Sequence, residues 1–241
     1  MFYKVASVTV ENVWKFDKRS DGIKTSGYFK FRELNLSDVL REAAKEYQIS
    51  SDPSDYVIVV ARAVTANVPN ENRDAFHKRE LLDVKDSGIF TYETFRFAPL
   101  LEEHDYDHVL EVSGGVILDS YYDDRIPTDE KVLTLVAVDG VKKRGFVEAL
   151  LRDRVGTFSM GCICERTRCS VCGHVASDVS DYCCHMANKF MMDNAFEWCE
   201  GVTFRELSIV RDPADRRAVS HVVCFPKSDN DFVVKKFMEV K

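Results

Sequence analysis

Residues 158–162 are FSMGC, residues 169–185 are CSVCGHVASDVSDYCCH, and residues 206–218 are ELSIVRDPADRRA. The first segment places a serine among apolar and small residues. The second is a compact cysteine and histidine cluster, and the third puts an acidic residue on a short apolar run. Each feature has an ordinary structural explanation when it stands alone. Their closeness in sequence, with a histidine upstream, raises the hypothesis of serine chemistry beside a small metal-bound insertion.

The composition sets the size and class of the protein. A chain of 241 residues that is 45% hydrophobic is long enough for one substantial domain. Its formal net charge of -7 argues against a primary nucleic-acid binder, because phosphate contacts require clustered Lys and Arg. No run reaches the ~18 apolar residues that cross a bilayer, and the N-terminus alternates without a signal-peptide core. We therefore expect a cytoplasmic protein without a membrane or nucleic-acid partner.

The hydrophobic periodicity predicts a strand-rich chain. Strands are expected at 56–68, 113–122, 131–139 and 157–163. Helices are expected at 140–156 and from Cys183 to Trp198, and the tail at 232–241 has a weakly helical pattern. Because the sequence has no internal repeat and no convincing linker, we expect a mixed α+β fold in one domain spanning 1–241.

The cysteines are concentrated in one part of the sequence. Seven of the eight fall within the 38 residues from Cys162 to Cys199. A secreted disulfide framework spreads its cross-links across the fold, whereas clustering with CxxC spacing and no secretion signal favours a metal site. We therefore expect residues 162–199 to form a Cys/His-rich insertion within the domain.

Four of these residues have the spacing of a structural zinc site. The Cys169-x2-Cys172 knuckle directs two thiolates to one point, and Cys183-x-His185 can supply the other two ligands. A set of three cysteines and one histidine fills all four tetrahedral positions, which is typical of a structural zinc ion and leaves no position for a catalytic water. Other residues nearby can compete for the metal, namely Cys162, Cys164, Cys184 and His174.

The residue types of a serine site are also present, but spacing alone does not bring them together. Ser159 lies where a strand end could present it, and a serine needs a base to accept its proton. Two histidines are candidates for that base, His104 after LLEE and His108 four residues later. Glu206 lies in an otherwise apolar strand, where an unpaired carboxylate is costly, so we expect it to have a partner.

Several segments, taken in order, give the chain a family resemblance. They are ARAVTANVPNENRDAF (61–76), TFRFAPLLEEHD (94–105), SGGVILDSYY (113–122), FSMGC (158–162), the cysteine and histidine cluster (169–185) and ELSIVRDPADRRA (206–218). Together they resemble the prohead, or head maturation, proteases of tailed bacteriophages, whose fold is related to the herpesvirus assemblins. The resemblance implies a strand-rich assemblin-like barrel with peripheral helices and a small zinc-knuckle insertion.

The resemblance also implies roles for the candidate residues. Ser159 matches the nucleophile, His104 the general base and Glu206 the acidic residue that orients the base. His104 is preferred to His108 because it directly follows TFRFAPLLEE. The family cleaves scaffold or core proteins, capsid-protein N-terminal segments and itself, inside the assembling prohead in the host cytoplasm. We therefore expect those proteins as substrates and a self-associating serine endopeptidase.

Two other functions are compatible with the same residues. One is a catalytically silent capsid or scaffold component that retains the protease fold. The other is a zinc-knuckle interaction module, for which RTR (166–168) and RDPADRR (211–217) supply local positive charge. The acidic net charge counts against nucleic acid as the partner of such a module.

Overall fold

The structure, a computed structural model, describes residues 4–7, 14–17, 22–25, 34–109, 113–152, 156–227 and 231–238. Its strands are β1 (Lys4–Ser7), β2 (Trp14–Asp17), β3 (Gly22–Thr25), β4 (Leu34–Asn35), β5 (Tyr56–Thr65), β6 (Asp74–Phe76), β7 (Leu100–Glu102), β8 (Gly115–Asp123), β9 (Lys131–Asp139), β10 (Phe158–Ile163), β11 (Arg166–Cys169), β12 (Val175–Ala176), β13 (Glu197–Glu200), β14 (Thr203–Ile209), β15 (Ser220–Lys227) and β16 (Asp231–Met238). Its α-helices are α1 (Leu36–Tyr47), α2 (Lys78–Leu81), α3 (Arg144–Leu151) and α4 (Cys184–Ala187). Short 3-10 turns lie at Pro53–Asp55, Thr91–Phe95, Val179–Asp181 and Lys189–Met191.

The largest sheet has the strand order β1-β16-β15-β5-β9-β8, with antiparallel neighbours throughout. All ten residues of β5 are buried, because the strand is covered on both faces. Val57 and Val59 pack into one apolar cluster, and the alternate residues Ile58 and Val60 pack into another. This two-sided burial explains why the segment is continuously apolar, and it confirms the strand predicted there.

Helix α1 covers one face of this sheet. Leu36, Leu40 and Ala43 follow one another at helical spacing, and all three are buried. They share a cluster with Ile58 and Leu135 of the central strands. Among the described residues, no helix is long and apolar enough to cross a membrane.

A three-stranded sheet, β10-β14-β7, packs against the other face. Phe158, Leu207 and Leu100 come from its three strands, and they are buried with Val59 of the large sheet. β10 and β14 are antiparallel, whereas β14 and β7 are parallel. Segments that are distant in sequence therefore become immediate neighbours in this second sheet.

The Cys/His-rich region contributes most of a third sheet, with the order β12-β11-β13-β6. Strands β11 and β13 pair antiparallel, and β13 pairs in parallel with β6. We call this the insertion sheet. Because β6 belongs to the Asn-rich segment before residue 77, the insertion sheet attaches the cysteine region to the rest of the fold.

The mixed, strand-rich α+β class is confirmed, but the barrel expected from the resemblance is not formed. The strands of the described ranges form four separate sheets, and the fourth has the order β2-β3-β4. Isolated bridges, Pro99 to Val116 and Thr157 to Val219, connect the second sheet with the large one, together with a few single backbone hydrogen bonds such as Gly114 N–H to the Leu100 carbonyl. Continuous ladders are needed to close a barrel, and single bridges leave the sheets stacked and open.

The helix predicted from Cys183 to Trp198 is wrong for most of its length. Helix α4 ends at Ala187, and the last residues of the range belong to β13. Two large apolar side chains in this range are exposed, Phe190 at 68% and Met191 at 88%. Strand pairing with β11 prevailed over the helical spacing.

The tail, whose sequence has a weakly helical pattern, is likewise a strand, β16, because it pairs with both β15 and β1.

Candidate active site and metal centre

Four residues of β10 and β14 share one face of the second sheet. Residues alternate faces along a strand, and the register places Ser159 opposite Ser208 and Gly161 opposite Glu206. β7 lies on the other side of β14, and the chain reaches His104 two residues after β7 ends. The sheet therefore gathers a serine, a carboxylate and a histidine from three separate segments.

The imidazole of His104 and the carboxylate of Glu206 form the central contact of this site. His104 Nδ1 lies 2.8 Å from Glu206 Oε1. The Glu206 side chain is fully buried, whereas the His104 side chain is 38% exposed. The hydrogen bond with Glu206 raises the pKa of His104 above its usual value, although partial burial of the ring opposes this shift. Because Nδ1 is engaged, Nε2 is the ring nitrogen left to exchange a proton.

Two hydroxyl groups complete the bonding of the buried carboxylate. The Tyr106 hydroxyl donates to Glu206 Oε1 at 3.2 Å, and the Ser208 hydroxyl donates to Oε2 at 2.5 Å. Burial and the nearby Glu206 charge raise the pKa of Tyr106, so its phenol remains a donor. Both carboxylate oxygens are thus satisfied, as the cost of burying a charge requires. This confirms the partner expected for Glu206.

A sharp turn after β7 brings His104 to Glu206. Glu103 and His104 have φ values of 49° and 59°, in the left-handed region that residues with a side chain rarely occupy. The amide of Glu103 donates to the carbonyl of Ile209 at 3.0 Å, and the amide of His104 donates to the Ser208 hydroxyl at 3.2 Å. Hydrogen bonds to β14 therefore stabilise the strained turn that carries the imidazole.

The second candidate base, His108, has a different partner. Its Nδ1 lies 3.1 Å from Asp105 Oδ1, and its side chain is 60% exposed. The structure therefore pairs His104, and not His108, with Glu206.

Ser159 and His104 line the same cleft, which has a volume of about 370 Å³. Ser159 is 8% exposed, so it is held within the sheet and still borders the open space. Residues of the insertion sheet also line the cleft, among them Thr167, Glu197 and Cys199. Strand β10 and the insertion sheet thus enclose a space in which a serine and a paired histidine are both available.

A buried ionic network lies in the part of the cleft next to the insertion sheet. Lys189 Nζ lies 3.0 Å from Asp74 Oδ1 and 2.7 Å from Glu197 Oε1. The Tyr182 hydroxyl donates to Glu197 Oε2 at 2.6 Å. Burial raises the pKa of Asp74, although the lysine opposes the shift. The network holds two carboxylates in the lining of the cleft with a single lysine between them.

Three thiols border the same cleft. Cys162 and Cys164 have their sulfur atoms 3.7 Å apart, and Cys199 lies beside them. The hydrogen bonds from Cys162 and Cys199 lower the pKa of the Cys164 thiol below its usual value, against the effect of burial. These cysteines belong to the cleft and not to the metal ligand group.

The four residues predicted to bind metal come together. One ligand atom from each of Cys169, Cys172, Cys183 and His185 lies within 4.8 Å of the others. The sulfur atoms of Cys172 and Cys183 are 3.6 Å apart, and His185 Nδ1 is 3.9 Å from the Cys183 sulfur. A tetrahedral zinc ion with Zn–S bonds of ~2.3 Å separates its ligands by about 3.7 Å, so the group fits such an ion.

The surroundings of the ligands also favour a metal ion. Cys169 is buried, and the pKa of Cys183 is lowered to about 6. Desolvation opposes that shift, but the amide of Met186 and the Cys172 thiol favour the thiolate, which is the form that binds metal. One competitor is engaged elsewhere, since His174 Nε2 lies 2.7 Å from the Asp181 carbonyl. The group can therefore hold a metal ion and is compatible with zinc.

Comparisons with protein-family models, with curated proteins and with solved structures found no match to this chain. Its function is therefore inferred from the chemistry of the site.

Sequence reasoning missed three residues that shape the candidate site. Tyr106 and Ser208 bond the Glu206 carboxylate, and Gly161 leaves the space in which those groups meet. A side chain at Gly161 would overlap the Tyr106 hydroxyl and Glu206 Oε1. Two weak signals were present in the sequence. Ser208 follows Glu206 by two residues, on the same face of a strand, and Gly161 follows Ser159 by the same interval.

Replacing Gly161 by alanine is expected to separate His104 from Glu206 while the fold persists. The added methyl displaces the partly exposed Tyr106 phenol and the Glu206 carboxylate, so the pKa of His104 falls toward its ordinary value of about 6.5. The measurement is a proton NMR titration of the His104 ring. Gly145→Ala is the matched control, because nothing lies within 4 Å of a methyl at that exposed site. An unchanged titration in Gly161→Ala would contradict this account.

The purified chain is expected to bind one metal ion through the four-ligand group. Cys172→Ser should reduce the metal content, measured by elemental analysis or native mass spectrometry, to less than roughly half an equivalent. Cys184→Ser is the matched control, since Cys184 is an exposed neighbour outside the group. Equal metal loss in both variants, or none in either, would show that the ligand group is misassigned.

Proposed function

We propose that this chain is a serine endopeptidase of the prohead maturation type. The observation that carries the proposal is the buried Glu206 carboxylate bonded to Nδ1 of His104, beside a cleft that Ser159 also lines. A serine hydrolase needs a nucleophile, a base, and a group that fixes the tautomer of the base. His104 and Ser159 line the cleft and Glu206 is bonded to His104, which supports one candidate for each role.

The proposed reaction is acyl transfer. Ser159 Oγ attacks the peptide carbonyl while His104 Nε2 accepts the hydroxyl proton, and Glu206 stabilises the resulting imidazolium. The tetrahedral intermediate collapses as His104 returns the proton to the leaving amine, which releases the first product and leaves an ester on Ser159. Water then enters and attacks the ester carbonyl while His104 accepts its proton; His104 returns that proton to Ser159 Oγ as the Oγ–acyl bond breaks and the second product leaves as a carboxylic acid. The raised pKa of His104 suits both steps, since the ring must accept and return a proton.

The substrates we propose are scaffold or core proteins, capsid-protein N-terminal segments and the protease itself. This part of the proposal rests on the order and spacing of the six sequence segments that resemble the prohead proteases. It implies self-association and action inside the assembling prohead, in the host cytoplasm. The same proposal includes a relationship to the assemblin fold, in a form whose sheets remain open and do not close into a barrel.

We propose zinc as the metal of the four-ligand group, in a structural role. Three sulfur ligands and one imidazole match the preference of Zn²⁺, and four protein ligands leave no position for a reacting water. When bound, the ion supplies cross-linking energy to a region with a small core of its own, which consists of Cys169, Ala176 and Met186.

Reaction with a fluorophosphonate probe tests the proposed nucleophile without knowledge of the substrate. The probe is expected to modify Ser159, and Ser159→Ala should abolish this labelling, self-cleavage and the processing of capsid protein on co-expression. Ser180→Ala is the control, because Ser180 is an exposed serine in the cysteine region. Normal processing by Ser159→Ala would overturn the assignment. Failure of the probe to label Ser159 in the folded wild-type chain would favour the catalytically silent capsid component.

The labelling rate is expected to depend on pH through His104. The base must be neutral to accept a proton, and its pKa is raised by Glu206, so the rate should rise with pH through a midpoint above ~6.5. Glu206→Gln removes the charge that raises this pKa. It should move the midpoint to lower pH and reduce the plateau rate by roughly 10²–10⁴-fold.

Asp105→Asn is the matched control for this pH dependence. Asp105 is partly exposed and bonds His108 rather than His104, so its neutralisation should leave the midpoint unchanged. A midpoint that follows Asp105 instead of Glu206 would make His108 the base.

A further inference from the structure

Ser208 occupies an enclosed position in the proposed active site, beside Glu206. It is fully buried, and its Cα is the register partner of Ser159 across the β10–β14 pair. It also pairs with Leu101 of β7 on the other side. Ser208 thus lies on the middle strand, β14. Its neighbours on the two sides are β10, which carries Ser159, and β7, which leads to His104.

The Ser208 hydroxyl makes two hydrogen bonds of opposite direction. Its proton is donated to Glu206 Oε2 at 2.5 Å, and its oxygen accepts the main-chain N–H of His104 at 3.2 Å. The other carboxylate oxygen, Oε1, bonds the His104 ring at 2.8 Å. These contacts close a ring of hydrogen bonds. The His104 side chain bonds the Glu206 carboxylate directly, and the His104 main chain is connected to the same carboxylate through Ser208.

This ring acts on a strained segment of the chain. Glu103 and His104 both have left-handed φ values, which are unfavourable for residues other than glycine. Without the Ser208 oxygen, the His104 amide loses its acceptor and the turn can relax toward ordinary backbone geometry. A displacement of about 1 Å at a reacting group can reduce a rate by roughly 100-fold.

We propose that Ser208 is a positioning residue, which holds the left-handed turn of His104 against Glu206 and so fixes the imidazole relative to Ser159. The inference rests on the proposed function, and it assigns a fourth residue to the site. Ser208 does not contact the substrate; it acts through the base and the carboxylate.

Two measurements separate this role from a merely structural one. The first is the NMR titration of His104, performed in the Ser159→Ala background, where no catalysis is needed. Ser208→Ala should move the pKa of His104 toward ~6.5, because the ring loses its fixed contact with Glu206. The second is the labelling rate of Ser159 in the otherwise native chain, which should fall by at least ~10-fold.

Ser220→Ala is the matched control for loss of a buried hydroxyl. Ser220 is fully buried and its hydroxyl accepts the amide of Gly156 at 3.0 Å, but it does not contact His104 or Glu206. Both alanine variants should lose similar stability, because each leaves a main-chain amide without its hydroxyl acceptor. Only Ser208→Ala should alter the His104 titration and the labelling rate. Ser208→Thr, which keeps the hydroxyl, should restore both toward the wild-type values.

These experiments test the role of Ser208 independently of the proposed peptidase function. If Ser208→Ala folds and leaves both the titration and the labelling rate of the wild type unchanged, the positioning role is wrong. The role is also wrong if Ser220→Ala shifts the His104 titration to the same extent. If Ser208→Ala does not fold, the Thr variant decides, and a His104 titration at ~6.5 in that folded variant overturns the role. A chain that is not a peptidase would show no labelling of Ser159, while the titration would still report on Ser208.

Discussion

The hydrogen-bonded burial of the Glu206 carboxylate is the constraint on which the rest of the site depends. An ionised carboxylate with no exposure is tolerated only when its oxygens are satisfied. His104, Tyr106 and Ser208 meet that requirement; the first two come from the loop after β7 and the third from β14. The left-handed turn after β7 and the absence of a side chain at Gly161 follow from the same need, because both make room for groups to converge on one carboxylate.

The cysteine region is connected directly to the lining of the cleft. Cys169 is the register partner of Glu197, and Tyr182, which bonds Glu197, immediately precedes Cys183. Two metal ligands therefore flank a hydrogen bond in the lining of the cleft. An ion that fixes those ligands also fixes the position of this lining, so the stability of the knuckle and the shape of the cleft are physically coupled.

Hydropathy and residue spacing in the sequence predicted the features that depend directly on them. The apolar run at 56–68 forms β5, the spacing of the four metal ligands brings them together, and the carboxylate on an apolar strand has its partner. The open sheets, the strand at Glu197–Glu200 and the strand at Asp231–Met238 depend on pairing with distant segments, which periodicity does not encode. The role of Ser208 was hidden for the same reason, because it arises from the register of β14 and the backbone angles of a loop about 100 residues earlier.

The thiols in the cleft have a consequence for how this protein responds to inhibitors. Cys164 has a lowered pKa, is partly exposed and borders the same space as Ser159. If the chain is the proposed peptidase, an alkylating agent that reacts with this thiolate places its adduct in the cleft beside Ser159 and stops turnover, although Ser159 is untouched. Inactivation by iodoacetamide or a mercurial would then suggest a cysteine protease. Assignment of the catalytic class by inhibitor profile alone is therefore unsafe for this chain, and the site of modification has to be identified directly.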